Sequence, residues 1–302
     1  MDATIVIATK NRREDLAKAV VSALAQKGAD IEVLVVDDGS SDGTSQMVRE
    51  RFPQVVLKTH SESAGYVARR NEAANVARGR IIFSIDDDAE FSTEVVIAQI
   101  LPFFANETVG VVAIPYLDVN RSDVLRQMAP STDGEYWAAS FVGTAHALRR
   151  DIFLNLGGYR THFVHQGEEK DYSIRLLERG FGVRLGRSNE ILHYESTRRD
   201  VSRMDFYGRR NDVLFAWQNV PSPYLWPHLL GTIAKGLWGG VKERRIWSML
   251  LGVGTGLVES LLERRHARKP VSTATYREYR RRIREALRWQ NAAAASRKME
   301  RT

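Results

Sequence analysis

Five short apolar runs constrain the fold of this chain more than any other feature. They are Ile5-Val6-Ile7, Val33-Leu34-Val35-Val36, Val55-Val56-Leu57, Ile81-Ile82-Phe83-Ser84-Ile85 and Val109-Gly110-Val111-Val112-Ala113-Ile114. Each is continuous rather than alternating, so each strand is covered on both faces, as in a parallel sheet. Between the runs, Leu16, Val20, Ala23 and Leu24 recur at helical spacing, as do Val67, Asn71, Ala74 and Ala77. Strand and helix alternating at this pitch predict right-handed βαβ units and an α/β doubly wound sheet. Such sheets bind ligands at the carboxyl ends of their strands, so the residues directly after each run are the candidates for chemistry.

The pattern loosens after about residue 115. Residues 136–148 read as an extended segment leading to a short helix near Asp151. Residues 168–180 read as one helix closed by Gly180, and Val183 to Leu185 as a last strand. From about Arg203 onward the chain reads as helical, interrupted at Pro221, Pro223 and Pro227, with a frayed end from Ala292 to Thr302. The expected division is a catalytic domain over residues 1–200 and a basic helical region over 201–302.

The chain has 302 residues, of which 43% are hydrophobic and 27% charged, a balance that excludes a mostly disordered chain and a polytopic membrane protein. Cys is absent, which removes disulfides, thiolate metal sites and a Cys nucleophile. Met1-Asp2-Ala3 leads straight into the first strand without a basic n-region, so a cytoplasmic location is expected. The net charge of +7 is unevenly spread. Residues 1–197 carry 22 Lys and Arg against 28 Asp and Glu, whereas residues 198–302 carry 22 against 9. A basic final third suits an anionic partner there, and equally suits a solvated helical tail.

Asp37-Asp38-Gly39-Ser40-Ser41-Asp42-Gly43-Thr44 follows the second run. Two adjacent carboxylates at a strand end suit a base N–H or a ribose hydroxyl, and alone they read equally as a capping turn. Asp86-Asp87-Asp88 follows the fourth run at once. Three carboxylates beside an apolar strand are electrostatically costly unless a hard cation relieves them, and Mg²⁺ or Mn²⁺ with substrate phosphates does so. Gly167-Glu168-Glu169-Lys170-Asp171 opens the 168–180 helix, where first-turn acids suit the dipole. His193 follows the last strand and carries an imidazole able to bind a divalent metal. Thr9-Lys10-Asn11-Arg12 stands where a dinucleotide-binding fold would carry G-x-G-x-x-G, so a nicotinamide site is not expected.

Taken in order, these pieces resemble the inverting glycosyltransferases of family 2. The resemblance rests on Ile5 to Thr9, Val35 to Thr44, Gly65 with Arg70-Asn71, Gly79 to Asp88, Gly157-Gly158-Tyr159, Gly167 to Asp171, and His193. It implies a GT-A fold, a Rossmann-like and mostly parallel sheet with flanking helices, followed here by a helical extension. It also implies roles. Thr9, Asn11, Asp37 and Asp38 would line the nucleotide pocket, and Arg70 would sit near the nucleotide or its diphosphate. Asp86 would face ribose or donor sugar and Asp87 would belong to the nucleotide-sugar site, with Asp88 and His193 on Mg²⁺ or Mn²⁺. Glu169 stands where the family's general base, more often Asp, is found. The implied reaction moves one hexosyl or deoxyhexosyl unit from a UDP-, dTDP- or GDP-sugar to a saccharide or lipid-linked acceptor, in bacterial surface-glycan synthesis. Q-x-x-R-W and spanning helices, usual in processive members, are missing, and Val213 to Ala234 is interrupted by three prolines.

Two other classes compete. A sugar nucleotidyltransferase would carry a glycine-rich basic loop after the first strand; Lys10, Arg12 and Arg13 are there without the glycines. A nucleic-acid binder would use the basic tail but leave the acidic triplet unexplained, so no nucleic-acid partner is expected. The final third also combines Trp226, Trp238 and Trp247 with Arg244-Arg245, Arg264-Arg265 and Arg280-Arg281-Arg282. Aromatic and basic helices suit a membrane interface, here the inner face of the plasma membrane. The same residues suit tryptophans packed on the catalytic domain with solvated arginines.

Overall fold

The computed structural model describes residues 1–195, 200–262 and 268–300, with side chains described as far as residue 289. It divides into two compact units, Met1–Gly158 with Phe181–Thr197, and Tyr159–Gly180 with Arg198–Thr302. The segment around the 168–180 helix groups with the C-terminal helices, and the rest of residues 1–195 with the sheet.

In the first unit the expected alternation is present: β1 (Ala3–Thr9), α1 (Arg13–Leu24), β2 (Ile31–Asp37), α2 (Thr44–Arg51), β3 (Val56–Thr59), α3 (Tyr66–Val76) and β4 (Ile81–Asp86). There follow β5 (Ala89–Phe91), α4 (Val96–Ile100), a 3-10 turn at Leu101–Ala105, β6 (Val109–Ala113), β7 (Tyr116–Asp118), β8 (Trp137–Ala138), β9 (Ala145–Arg149) and α5 (Arg150–Asn155). Strands β10 (Gly182–Leu185) and β11 (Ile191–His193) complete the unit. The main sheet has the order β3-β2-β1-β4-β9-β6-β10-β8. Strands β1 to β4 pair in parallel, whereas β9 runs antiparallel to both β4 and β6. Residues 136–148, expected as one extended segment, are thus two separate strands, β8 and most of β9.

The core explains the unbroken runs. Ile5, Ile7, Val35, Phe83 and Ile85 are buried with Leu16, Ala19 and Val20 of α1 and with Ile97 and Ile100 of α4. Residue 79 must be glycine, since a Cβ there would lie 2.3 Å from the backbone of Ala3 and Thr4. Parallel register sets Thr9 beside Asp37 and Ala8 beside Asp86, which brings the carboxyl ends of β1, β2 and β4 to one edge.

A second, three-stranded sheet has the order β5-β11-β7. Residue His193 lies on β11 itself, not beyond the last strand, with Ala89 as its partner on β5 and Asp118 on β7. Strands of three residues are too short to leave a hydrophobic period in the sequence.

The second unit is helical: α6 (Glu168–Glu178), α7 (Val201–Asn219), α8 (Ser222–Lys242), α9 (Ile246–Leu262) and α10 (Thr273–Glu300). Pro221 precedes α8 and Pro223 lies in its first turn, where proline is tolerated. The last helix runs to Glu300, where a frayed end was expected. Helices α7 and α9 approach closely: a Cβ on Gly252 would lie 2.2 Å from the Phe206 carbonyl oxygen, and one on Gly256 2.8 Å from that of Arg210. Tyr276 and Tyr279 of α10 are buried, and the backbone N–H of Ser272 donates to Glu178 of α6 at 3.0 Å.

Candidate active site

The acidic triplet divides at the end of β4. Strand β4 ends at Asp86, and Asp87 and Asp88 lie in the turn that follows. Asp87 faces the loop after β1. There Asp87 accepts a hydrogen bond from Thr9 Oγ1 at 2.8 Å and lies 3.4 Å from the guanidinium of Arg12. Burial pushes the Asp87 carboxyl up to about 7, against the pull of Arg12 and Thr9.

On the other side, Asp86, Asp88 and His193 present ligand atoms that all lie within 4.8 Å of one another. His193 Nε2 is 3.4 Å from Asp88 Oδ1 and 3.9 Å from Asp86 Oδ2, and its Nδ1 is 2.7 Å from Asp118 Oδ1. The small sheet produces this placement. The backbone N–H of Tyr194 donates to the Asp88 carbonyl at 2.8 Å, and that of Val119 to the His193 carbonyl at 3.0 Å. Burial favours neutral imidazole at His193, but Asp88 and Asp118 outweigh it and raise its pKa to about 9. Burial of Asp88 is likewise outweighed, by His193 and Arg12, and its pKa falls to about 2.

Two arginines offset the remaining charge. Arg70, nearly buried and stacked 4.9 Å from the Tyr66 ring centroid, donates to Asp86 at 2.5 Å and to the Gly143 carbonyl at 3.2 Å. Arg12 Nη1 pairs with Asp88. The donor set fits a hard divalent cation. It offers two carboxylates and an imidazole nitrogen, and the other imidazole nitrogen is held by a carboxylate, which fixes the ring orientation.

Beside this cluster, the loops after β1 and β2 are tied together. Asn11, at a φ of 54°, accepts from the Ser41 backbone N–H at 2.8 Å, and its own N–H donates to Ser40 Oγ at 2.9 Å. Asp37 accepts from the Ser40 N–H at 2.9 Å and from the Ser45 hydroxyl. Asp38 accepts from Ser63 Oγ, the N–H groups of Ala64 and Gly65, and Arg69 Nε at 2.5 to 2.9 Å. Burial of Asp38 disfavours ionisation, but these donors outweigh it and lower its pKa. Thr9, Asn11, Asp37 and Asp38 are thus gathered at one edge of the sheet, each already engaged by the chain itself.

Three residues of the site were not singled out from the sequence. Arg12 was visible as part of a basic loop, without a sign that it would face the triplet. Arg69 differs from Arg70 only by one step around α3, which turns one guanidinium to Asp38 and the other to Asp86. Asp118 carries no sequence signal, because its role depends on the pairing of β7 with β11.

The acids of α6 belong to the second unit and differ among themselves. Asp171 is fully buried, accepting from Arg160 at 2.7 Å, Asn219 at 2.8 Å and Arg175 at 2.9 Å. Glu168 is also fully buried, whereas Glu169 is partly exposed. A concavity of about 670 Å³ in the first unit lies at the opposite end of β1 and β4, lined by Asp2, Gly79, Arg80 and Arg149. Arg80 pairs there with Asp2, and Arg149 donates to backbone carbonyls, so it gathers no group for catalysis.

Comparison with known proteins agrees with this layout. The chain is 40% identical over 88 residues to the succinoglycan biosynthesis protein ExoO of Rhizobium meliloti, covering 29% of this chain and 25% of that protein. It is 30% identical over 98 residues to the UDP-Glc:alpha-D-GlcNAc-diphosphoundecaprenol beta-1,3-glucosyltransferase WfaP of Escherichia coli, covering 32% of this chain and 39% of that one. The matched part is thus well under half the length of either relative. Among solved structures, the mannosyltransferase PcManGT from Pyrobaculum calidifontis, in complex with GDP-Man and Mn²⁺, aligns with a TM-score of 0.60 at 18% identity. That alignment covers 97% of this chain and 83% of the other, and shows that the fold is GT-A with a helical C-terminal region. The sequence model of the family described as "Glycosyl transferase family 2" matches residues 4–163, more than half of the chain. The chain therefore belongs to glycosyl transferase family 2.

Proposed function

We propose that the chain transfers one sugar, with inversion, from a nucleoside-diphosphate sugar to a hydroxyl of a saccharide or lipid-linked acceptor in bacterial surface-glycan synthesis. The observation that carries this reading is the Asp86–Asp88–His193 cluster at the carboxyl edge of the sheet. Asp88 and His193, with Asp86 beside them, would hold Mg²⁺ or Mn²⁺, and that ion, when bound, supplies positive charge against a diphosphate leaving group. Asp118 keeps the His193 ring turned so that Nε2 faces the carboxylates. The loops carrying Thr9, Asn11, Asp37 and Asp38 form the nucleotide edge, and Arg70 holds Asp86 in place.

Glu169 is assigned as general base. Of the three acids it is the one left partly exposed, and the first helical turn favours its ionised form. In a single displacement the acceptor oxygen bonds to the anomeric carbon, its proton passes to the carboxylate, and the bond to the diphosphate breaks. One displacement inverts the configuration. The lipid-linked option draws support from the diphosphoundecaprenol acceptor in the name of the Escherichia coli relative, and GDP- or UDP-linked donors from the named relatives. Peripheral contact with the inner face of a membrane through the C-terminal region is part of the same proposal. No helix among the described residues is long and apolar enough to cross a membrane.

The test is calorimetry of UDP, GDP and dTDP binding with Mn²⁺ and with EDTA. Tighter binding of one nucleotide with Mn²⁺, lost in Asp88→Ala, is expected. Equal affinity in all conditions overturns the metal-dependent reading.

A further inference from the structure

Helices α8 and α9 form a hairpin, joined at Glu243 to Arg245, with many of its large apolar side chains left exposed. Leu225, Leu229, Gly236 and Gly240 of α8 and Met249, Gly252, Val253 and Gly256 of α9 are turned inward. All three tryptophans are turned outward: Trp226 is 60% exposed, Trp238 74% and Trp247 77%. On α8 the exposed series Trp226, Leu230, Ala234 and Trp238 advances four residues at a time, one stripe along the helix. On α9 the exposed series is Trp247, Leu251, Val258 and Leu262. An exposed series of large apolar side chains on two adjacent helices marks an interaction surface rather than the scattered apolar residues of an ordinary one. Within their own unit these tryptophans are therefore not packed.

We propose that the outward face of the α8–α9 hairpin docks in the plane of an anionic lipid bilayer, with the turn between the helices at the headgroups. This deepens the membrane contact included above and rests on it, while needing neither donor nor acceptor for its test.

The occupant follows from charge. Helix α8 contains no acidic residue, and the single acid of α9, Glu259, is held by Arg210 of α7 at 2.5 Å. At the turn, Lys242 and Arg244 are exposed beside the single acid Glu243, and Lys235 is exposed on α8, close in sequence to Trp238. Exposed tryptophans rimmed by Lys and Arg suit the boundary between headgroups and acyl chains, whereas Lys is depleted at protein–protein interfaces. Neither helix is apolar enough to span, and Lys235 and Pro227 interrupt α8, so the hairpin lies along the surface. The basic tail is a weaker candidate. Arg281 pairs with Glu278 and Glu285, Arg282 pairs with Glu278, and Arg264-Arg265 lie outside the described residues.

The test is co-sedimentation of the full chain with vesicles of phosphatidylcholine and phosphatidylglycerol in equal parts, against phosphatidylcholine alone. The variants are Trp238→Ser with Trp247→Ser, Lys242→Glu with Arg244→Glu, and Arg280→Glu with Arg284→Glu on α10. Circular dichroism and light scattering are measured on each. The wild type is expected to bind the anionic vesicles and to weaken with salt. Each hairpin double variant should bind roughly tenfold more weakly or less, with unchanged fold and unchanged nucleotide affinity. The proposal is overturned if the wild type ignores anionic vesicles or if the tryptophan variant binds like wild type. It is also overturned if only the α10 variant loses binding, or if the tryptophan changes convert a dimer to a monomer, which would make a second copy the occupant.

Discussion

Asp118 Oδ1 lies 2.7 Å from His193 Nδ1, across two strands that are 75 residues apart in the chain. A carboxylate on one imidazole nitrogen fixes the ring and makes the other nitrogen a better ligand. Asp118 is thus a positioning residue for a cluster it does not enter. Asp118→Asn and Asp118→Ala should weaken Mn²⁺ binding by about 10- to 100-fold, with Asn the milder because its amide oxygen still accepts. Calorimetry of Mn²⁺ binding checks this, with melting temperature as a control for folding.

Mn²⁺ binding should release a proton. With its pKa raised to about 9, His193 is protonated at neutral pH in the metal-free chain, and a ligand imidazole must be neutral. Asp88, lowered to about 2, is ionised throughout and adds no step. Apparent affinity should therefore climb about tenfold per pH unit between pH 7 and 9 and level off above. In the metal-free chain the sign is opposite: the charged His193 stabilises the fold fully below 6.5, and this is lost as pH rises through about 9. Calorimetry in buffers of different ionisation enthalpy counts the proton, and a count of zero at pH 7.5 (roughly one proton is expected) would contradict the assignment.

The acids of α6 should separate cleanly. Glu169→Gln should keep the fold and nucleotide binding but lower sugar transfer by ~10²–10⁴-fold. Asp171→Asn instead weakens a buried carboxylate that accepts from two arginines, and should destabilise the second unit by about 3–5 kcal/mol. Transfer assays beside thermal melts distinguish the two, and full transfer by Glu169→Gln would move the base elsewhere.

His146 should make the fold acid-sensitive. Fully buried on β9, with its ring centroid 4.4 Å from that of Phe141, it stays neutral down to about pH 3, chiefly through burial and then through the charge of Arg70. Unfolded, it takes a proton near its ordinary 6.5. The unfolded state therefore binds more protons, and stability falls as pH drops from 6.5 toward 3, by about 1 kcal/mol per pH unit for this group. His228, lowered to about 4 mainly by burial, acts in the same direction. His146→Phe should flatten the fall in melting temperature between pH 7 and 5, and a double change with His228→Phe should flatten it further.

Much of this protein is legible in its sequence. Ile5 to Ile7, Val33 to Val36 and Ile81 to Ile85 are local signals, because a strand buried on both faces must be apolar at every position. The chemistry at their ends is equally local: Asp37-Asp38 and Asp86 to Asp88 sit where parallel strands stop. What only the tertiary structure decided is which of these groups meet. The turn after β4 brings Asp87 to Thr9 and leaves Asp86 and Asp88 to His193, and β11 aligns His193 with Asp118 through pairings no local pattern encodes. The same holds for Trp238 and Trp247. Their spacing reads alike for a packed helix and an exposed one, and it is the packing of the opposite faces of α8 and α9, through Leu225, Leu229, Gly252 and Gly256, that leaves the tryptophans exposed. Composition and spacing are properties of one segment, whereas a site or a surface depends on two or more segments brought together by the fold.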